Sequence, residues 1–160
     1  MSRLQERISV TALWARLAPL PGGRALFTRA FQLAAPYSGT IPVRVTDLAP
    51  GRATADMRDT RAVRNHIGTV HAIALCNLAE TVMGLVAEAT IPKTHRWIPK
   101  AMQVEYRARA RGTLSAEARL ATDGTLPDGG ALAVAIDVHD RGGALVFRAN
   151  IDIWVTRRSS

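Results

Sequence analysis

The sequence predicts an α+β fold in which a single antiparallel sheet of about six strands wraps one long central helix, with a helical arm at the N-terminus. First, the segment 70–89 is apolar, rich in alanine and leucine, and too long for one strand. Second, two segments before it and four after it alternate apolar with polar residues. Third, mostly short, turn-rich connectors join these segments, which favours antiparallel pairing.

The N-terminal arm is predicted as two helices over residues 3–18 and 24–35, separated by the breaker 19–23, Pro-Leu-Pro-Gly-Gly. Both have an amphipathic pattern, which favours an arm packed on the body over a membrane-surface or partner-binding helix. We therefore divide the chain into the arm, residues 1–37, and the main domain, residues 38–160.

The six predicted strands each have one face for the core. They cover about 41–46, 52–57, 97–111, 113–122, 131–140 and 144–156, with the turn 49–51 closing the first hairpin. In the third strand the apolar face contains Met102, Val104, Tyr106, Ala108 and Ala110.

The central segment is apolar nearly all round, which is typical of a helix enclosed by the rest of the protein. A membrane span would be marginal in length and would carry Glu80 at its centre, so we predict none. One enclosed helix wrapped by one antiparallel sheet is the hotdog fold. In this setting Glu80 must point at water, be paired, or serve chemistry, because a buried carboxylate is costly to desolvate.

Composition limits the partners and the location. The net charge of +8 suits nucleic acid, an anionic membrane surface or a nucleotide-bearing molecule, but the cations are spread along the chain. Since zinc-finger spacings and aromatic-basic patterns are absent from the sequence, we predict no nucleic-acid binding. The single cysteine, Cys76, cannot form an intramolecular disulfide and is predicted to be a packed core thiol rather than a nucleophile. Charged residues interrupt the N-terminus where a signal-peptide core would lie, so we expect a cytoplasmic protein.

The run Asn-His-Ile-Gly-Thr-Val-His-Ala at 65–72, followed by Glu80, resembles the hotdog acyl-CoA thioesterases of the phenylacetate-degradation type. It resembles more closely an uncharacterised hotdog family catalogued as a domain of unknown function, over about residues 40–156. The resemblance implies hydrolysis of a fatty or aromatic acyl-CoA, with the coenzyme A thioester as substrate and no other cofactor. It also implies a homodimer, with a dimer of dimers as the alternative assembly.

Four catalytic candidates follow from this resemblance. In such enzymes an Asn precedes the helix, a His-Gly pair opens it, and an acid follows two to three turns later, positions held here by Asn65, His71, Ala72 and Glu80. Ala72 replaces the usual glycine, and its N–H would polarise the thioester carbonyl. Glu80, expected to be half-buried with a raised pKa, would activate water or attack directly, and Asn65 would orient either.

Each candidate also has a structural interpretation. Glu80 could pair with an arginine, Asn65 could cap a turn, and His71 could bond a backbone carbonyl. A non-catalytic acyl-CoA or fatty-acyl binding module is therefore the alternative function, and a hotdog dehydratase is a weaker one. Because nine positions separate His71 from Glu80, about 2.5 helical turns, the two lie on opposite sides of the helix. A two-fold dimer would bring Glu80 of one chain to Asn65 and Ala72 of the other.

Basic residues after the helix are candidates for binding coenzyme A. We predict that Lys93, Arg96 and Lys100, together with Gly68, contact the substrate, and that Arg107, Arg109 and Arg111 add positive charge. Solvated surface is the alternative for each of these cations. The histidines form no HExxH or Cys/His pattern, so we predict no metal site.

Overall fold

The computed structural model describes residues 9–122 and 124–159. The arm contains helices α1 and α2 and runs into a short 3-10 helix that crosses the predicted boundary at residue 37. The rest of the chain contains one long helix, α3, a second 3-10 helix, Arg61–Val63, and strands β1 to β6. In chain order the elements are α1 Val10–Leu17, α2 Gly23–Ala34, the 3-10 helix Pro36–Thr40, β1 Val43–Ala49, β2 Arg52–Met57, α3 Ala72–Thr90, β3 His95–Tyr106, β4 Leu114–Arg119, β5 Gly130–His139 and β6 Leu145–Arg157. The strands form one antiparallel sheet in the order β1-β2-β4-β5-β6-β3. The predicted fold is confirmed.

Helix α3 lies across the concave face of this sheet and supplies the centre of the core. Its leucines and valines are fully buried, among them Leu78, Val82 and Leu85. The facing positions of β2 and β4 are alanines, Ala53, Ala55, Ala116 and Ala118, all fully buried. Because a methyl group is the whole side chain there, the helix can lie close to the sheet without leaving a void.

The β1–β2 hairpin confirms the predicted turn. Ala49 pairs with Arg52, which leaves Pro50 and Gly51 as the two central residues. Gly51 has a φ of 81°, a left-handed conformation that proline at the preceding position and glycine at this one allow.

Several element boundaries differ from the prediction, and β1 ends at Ala49, three residues after its predicted end. The first predicted helix begins at residue 3, but residues 3–8 lie outside the described residues, and α1 begins at Val10. Strand β3 ends at Tyr106, so residues 107–111 leave the sheet instead of extending it. Strand β4 ends at Arg119, three residues before the predicted end.

The arm packs against β1 and the start of α3. Trp14 of α1 meets Phe27 of α2 edge to face, with ring centroids 5.0 Å apart. The Thr28 hydroxyl accepts the Val45 N–H of β1 at 3.0 Å, so α2 covers a backbone donor on the outer edge of that strand. Asn77 of α3 donates to the Thr40 hydroxyl at 3.0 Å and thereby fixes the end of the arm on the core helix.

Strand β3, at the other end of the sheet, is exposed on both faces. The prediction that Met102 and Tyr106 belong to the core is wrong for the single chain, since they are 36% and 52% exposed. Their partners in register, Ile151 and Phe147 of β6, are buried under α3. Helix α3 therefore meets β3 only in part, at Trp97 beside Gly84 and at Tyr106 beside Cys76, and leaves Met102 between them exposed.

Helix α3 itself has one uncovered side, which we call the open stripe: Ile73, Cys76, Glu80 and Gly84. The prediction of a helix enclosed all round therefore needs correction along this line, where Ile73 is 58% exposed. Helix α3 is long and apolar enough to span a membrane by length and composition, but 56% of that window is buried inside the fold. Its apolar composition is thus accounted for by the core.

A row of alternating charges crosses the outer face of the sheet, one or two residues on each strand. We call it the charge row: Asp47, Arg52, Glu117, Arg119, Asp137, Arg148 and Glu105. Arg148 contacts Asp137 through two nitrogens, at 2.6 and 3.1 Å. The Arg148 hydrogen bond lowers the pKa of Asp137, and the Arg52 hydrogen bond lowers that of Glu117.

Candidate functional site

The loop that precedes α3 is organised by Asn65. The Asn65 side-chain oxygen accepts the N–H groups of Ile67 and Thr69, both at 3.1 Å, and its amide donates to the Thr69 hydroxyl at 2.8 Å. These bonds are those of a turn-capping asparagine. Gly68, with a φ of 74°, lies within this turn, and a Cβ added there would meet no heavy atom within 4 Å.

His71 is the N-cap of α3. Its Nδ1 accepts the Ile73 N–H at 3.1 Å, so in the neutral ring Nε2 carries the proton. The predicted alternative, a histidine that bonds a backbone carbonyl, is therefore not what the side chain does. His71 also has an extended backbone, with φ −66° and ψ 140°.

Ala72, the next residue, is the first of α3. A helix leaves its first N–H groups without carbonyl partners inside the helix, and its N-terminus carries a partial positive charge. The Ala72 N–H is such a donor, and Ala72 lines an open groove of about 380 Å³. An anionic oxygen in this groove could accept that N–H.

The groove has two walls. One is the loop with Asn65 and Thr69, and the other is the end of β3 with the segment that follows it, Tyr106 to Ala110. The Val70 N–H donates to the Ala110 carbonyl at 2.9 Å and joins the walls at the floor. Since this segment follows the point where β3 leaves the sheet, the early end of that strand forms the second wall.

Asp59 forms hydrogen bonds next to both walls of the groove. Its carboxylate accepts Arg64 Nε at 2.7 Å, next to the loop, and the Gly112 N–H at 2.9 Å, next to the second wall. The Arg64 guanidinium lowers the pKa of Asp59. Sequence reasoning missed this residue, because a lone Asp in a linker gives no signal of the two segments that it joins.

Tyr106 is a further groove residue, which the sequence marked only as part of a strand face. Its hydroxyl lies 3.4 Å from the Cys76 sulfur, and this contact, with burial, raises the pKa of Tyr106 to about 12. Cys76 belongs to the open stripe and is only partly buried, so the predicted packed core thiol is wrong in part. The Tyr106–Cys76 contact closes the gap between β3 and α3 beside the groove.

Glu80 lies elsewhere. It is exposed, which corrects the expectation of a half-buried carboxylate, and it lines a second, smaller groove of about 250 Å³ with Lys100 and Met102. Within residues 9–122 and 124–159 it has no ion-pair partner, so the structural alternative of an arginine pair is not observed. Its carboxylate faces the space beside the open stripe.

The single chain therefore separates the predicted catalytic residues into two groups. Asn65 and Ala72 line the first groove and Glu80 lines the second. Eight residues separate Ala72 from Glu80, which corresponds to about 12 Å along the axis of α3. The structure does not bring Glu80 to the helix N-terminus of its own chain.

The predicted coenzyme A cations lie around the second groove and beyond it. Lys100 lies over the Trp154 ring, 5.5 Å from its centroid, and Arg96 donates to the Thr156 hydroxyl at 3.0 Å. Lys93 lies in the link between α3 and β3. Arg107 and Arg109 instead line the first groove.

The His, Cys, Asp and Glu side chains do not gather into a metal site in the part of the chain that the structure describes. Among the described residues, no group of three or more His, Cys, Asp or Glu side chains could hold a metal ion. The side chains that line the two grooves include a carboxylate, an amide, a phenol and three cations: Glu80, Asn65, Tyr106, Lys100, Arg107 and Arg109.

Comparison with solved structures shows the same fold in other proteins. A protein solved by structural genomics is 36% identical, covers 93% of this chain and 99% of its own, and has a TM-score of 0.80. A Pseudomonas aeruginosa protein of unknown function, described as a probable thioesterase, is 25% identical over 87% of this chain and 97% of its own, with a TM-score of 0.71. A Haemophilus influenzae thioesterase at 14% identity covers 74% of this chain and 81% of its own, with a TM-score of 0.66, and shares the fold.

These neighbours are hotdog proteins, in agreement with the predicted fold. No curated protein matches the chain. The model of a family described as a domain of unknown function, DUF4442, matches residues 23–155, which include α2 and every strand except the last two residues of β6. The resemblance to an uncharacterised hotdog family is thus confirmed, and the chain belongs to the DUF4442 family.

Proposed function

We propose that this protein is a thioester hydrolase that cleaves a fatty or aromatic acyl-CoA. The observation that carries the proposal is that Ala72, whose N–H has no carbonyl partner within the helix, is the first residue of α3 and lines a groove. A thioester carbonyl gains negative charge when a nucleophile attacks it, and a helix N-terminus stabilises that charge. The solved structures described as a thioesterase and a probable thioesterase support the same class of reaction.

The proposal includes a homodimer that completes the site. Strand β3 is a long, unpaired edge with exposed apolar residues on its inner face, and such an edge tends to pair with another chain. The open stripe of α3 runs beside that face and is uncovered as well. A second copy related by a two-fold axis would cover both and would bring its own Glu80 toward Ala72.

In the proposed reaction, Glu80 of one chain removes a proton from water, and the hydroxide forms a bond to the thioester carbon. The carbonyl oxygen, now an oxyanion, accepts the Ala72 N–H of the other chain. When the carbon–sulfur bond breaks, coenzyme A leaves as a thiolate that takes up the proton, and the acyl group leaves as a carboxylic acid. Direct attack by Glu80, followed by hydrolysis of the anhydride, is the second route open to this carboxylate.

The amide of Asn65 has a more limited part in this proposal. Its oxygen and one amide hydrogen already serve the loop, so the second amide hydrogen is what it can offer to water or to the carboxylate. We assign coenzyme A phosphates to Lys100 at the second groove, to Arg107 and Arg109 at the first, and to Arg96 and Lys93, which lie further towards the start of β3. A cytoplasmic location is part of the proposal, and the free thiol of Cys76 is consistent with it.

The test is a thioester-cleavage screen with short, long and aromatic acyl-CoAs, followed by the variant Glu80→Ala on the best substrate. We expect kcat to fall by about 10²–10⁴-fold, the usual contribution of a general base, with folding and oligomeric state retained. Glu88→Ala is the matched control, because Glu88 is an exposed carboxylate on the same helix outside both grooves. Unchanged turnover in Glu80→Ala would exclude Glu80 as base or nucleophile.

A non-catalytic acyl-CoA binding module is the second candidate. It is favoured by Ala72, whose methyl group stands where the thioesterases that the sequence resembles usually carry glycine. Binding of acyl-CoA measured by calorimetry, without cleavage of any acyl-CoA in the screen, would support the module instead of the enzyme.

A further inference from the structure

Helix α2 has a side that no other element within residues 9–122 and 124–159 covers. Leu26 and Leu33 on this side are 58% and 76% exposed, whereas Phe27 on the opposite side of the helix is fully buried. They are seven residues apart, two turns of helix, so they lie on one line, with Arg29 between them. We call Leu26, Arg29 and Leu33 the outer stripe of α2.

Two more exposed apolar residues lie just beyond the two ends of the helix. Leu20, in the turn before α2, is 56% exposed, and Tyr37, in the 3-10 helix after it, is 67% exposed. Single exposed apolar residues are ordinary on protein surfaces, but four large ones on one short arm are a patch.

The charge around the patch has one sign. From Arg7 to Thr46 the chain contains no Asp or Glu, while the described part of this stretch contains Arg16, Arg24, Arg29 and Arg44. None of these arginines takes part in an ion pair within residues 9–122 and 124–159. Arg24 lies over the Trp14 ring, 6.0 Å from its centroid. The opposite arrangement holds on the sheet, where the charge row pairs each arginine with a carboxylate.

We infer that the arm binds the surface of an anionic lipid bilayer through the outer stripe of α2. Leucine and tyrosine side chains enter the boundary between headgroups and acyl chains, and unpaired arginines beside them meet anionic headgroups. A bilayer accepts such a patch without a matching shape. Since α3 stays in the core and the inward side of the arm is packed on β1, the binding is peripheral and leaves the fold unchanged.

The test is sedimentation of the full chain with vesicles of phosphatidylcholine alone, and with vesicles that also contain phosphatidylglycerol, at low and high salt. We expect binding to the anionic vesicles that weakens at high salt. The double variant Leu26→Ser and Leu33→Ser should lower the partition coefficient about tenfold or more, because two apolar side chains no longer leave water. Arg29→Glu should lower it about fivefold or more, because an attraction becomes a repulsion.

Two variants at the other edge of the sheet are matched controls. Ile98→Ser removes an equally exposed apolar side chain from β3, and Arg157→Glu reverses a charge on its neighbour β6. Both should bind anionic vesicles as the unchanged chain does. Absence of binding, equal binding to neutral vesicles, or equal losses in the controls and the arm variants would overturn the proposal. A change of oligomeric state in the leucine variant, measured by light scattering, would also overturn it, because a second copy would then cover the outer stripe.

Discussion

The backbone of Ala72, more than its side chain, is the chemically important part of that residue in the proposed site. His71 before it has φ −66° and ψ 140°, the extended conformation that a residue preceding proline prefers. Proline is also favoured at the first position of a helix, where its missing N–H costs no helical hydrogen bond. Position 72 can therefore lose its N–H without loss of the helix.

We predict that Ala72→Pro lowers kcat for thioester cleavage by about 10²–10³-fold, the usual effect of removing one oxyanion donor, while the midpoint of thermal unfolding is kept. Steady-state kinetics and thermal denaturation check both parts. The matched variant Ala72→Gly keeps the N–H and removes the methyl group. It should retain or raise turnover, with a free energy of unfolding lower by about 0.5–1 kcal/mol. Full activity in Ala72→Pro would show that this N–H is not used.

Single residues also show where sequence reasoning stops. The position of Asn65 before the helix was predictable, and so was its alternative role as a turn cap, which its hydrogen bonds to Ile67 and Thr69 satisfy. The exposure of Glu80 was not predictable, because an apolar helix has the same sequence whether its own chain or a second copy covers it. Its assignment as base or nucleophile stays a prediction.

At the scale of elements, the charge row links all six strands on the outer face of the sheet. Neighbouring arginines lower the pKa of Asp137 and of Glu117 in the folded chain. A carboxyl group with a lowered folded-state pKa binds fewer protons in the folded state than in the unfolded state. Its contribution to stability is complete above the unfolded-state pKa and is lost as pH falls through the folded-state pKa.

We predict that the free energy of unfolding falls as pH drops below the ordinary range of carboxyl groups. Asp137→Asn should make this fall less steep, because unfolding then takes up fewer protons, by up to about one per molecule. Denaturant unfolding at a series of pH values between neutral and acid measures it. Asp152→Asn, which makes the same change of net charge at an exposed position of β6, is the control. An identical slope in Asp137→Asn and the unchanged chain would contradict the prediction.

The elements themselves were largely predictable, because period-two alternation and a long apolar segment are local patterns. The central helix and the strands lie within a few residues of the predicted bounds, apart from the end of β3. That end was not predictable from alternation, which continues through Ala108 and Ala110 after the backbone has left the sheet. The segment leaves because Asp59 and Val70 hold it through Gly112 and Ala110, contacts that are distant in sequence.

For the whole molecule, the separation of Ala72 from Glu80 leads to a test of shared sites. We predict that Glu80→Ala and Ala72→Pro, each inactive alone, recover activity when mixed and allowed to exchange subunits. Each mixed dimer has one intact site and one doubly damaged site. With random exchange half of the dimers are mixed, so activity should reach about a quarter of that of the unchanged protein.

The control for this experiment is direct proof of the mixed dimer, by mass spectrometry or by co-purification of differently tagged chains. Mixed dimers without recovered activity would mean that each chain has its own complete site. The sequence predicted the two-fold arrangement only through the family resemblance and the helical offset. The structural support for a dimer is the exposed part of the inner face of β3. Its exposure depends on how far α3 extends across the sheet, which the sequence pattern does not indicate.

The two ends of the sheet differ because the Thr28 hydroxyl accepts the Val45 N–H on the outer edge of β1. Strand β1 lies under α2, whereas β3 is the last strand at the other end of the sheet. A sheet with two open edge strands could pair with a further chain at each end and form a fibre. A sheet with one open edge strand can pair with a single partner only. We therefore expect the arm to block pairing at β1, which would limit the proposed pairing through β3 to two subunits.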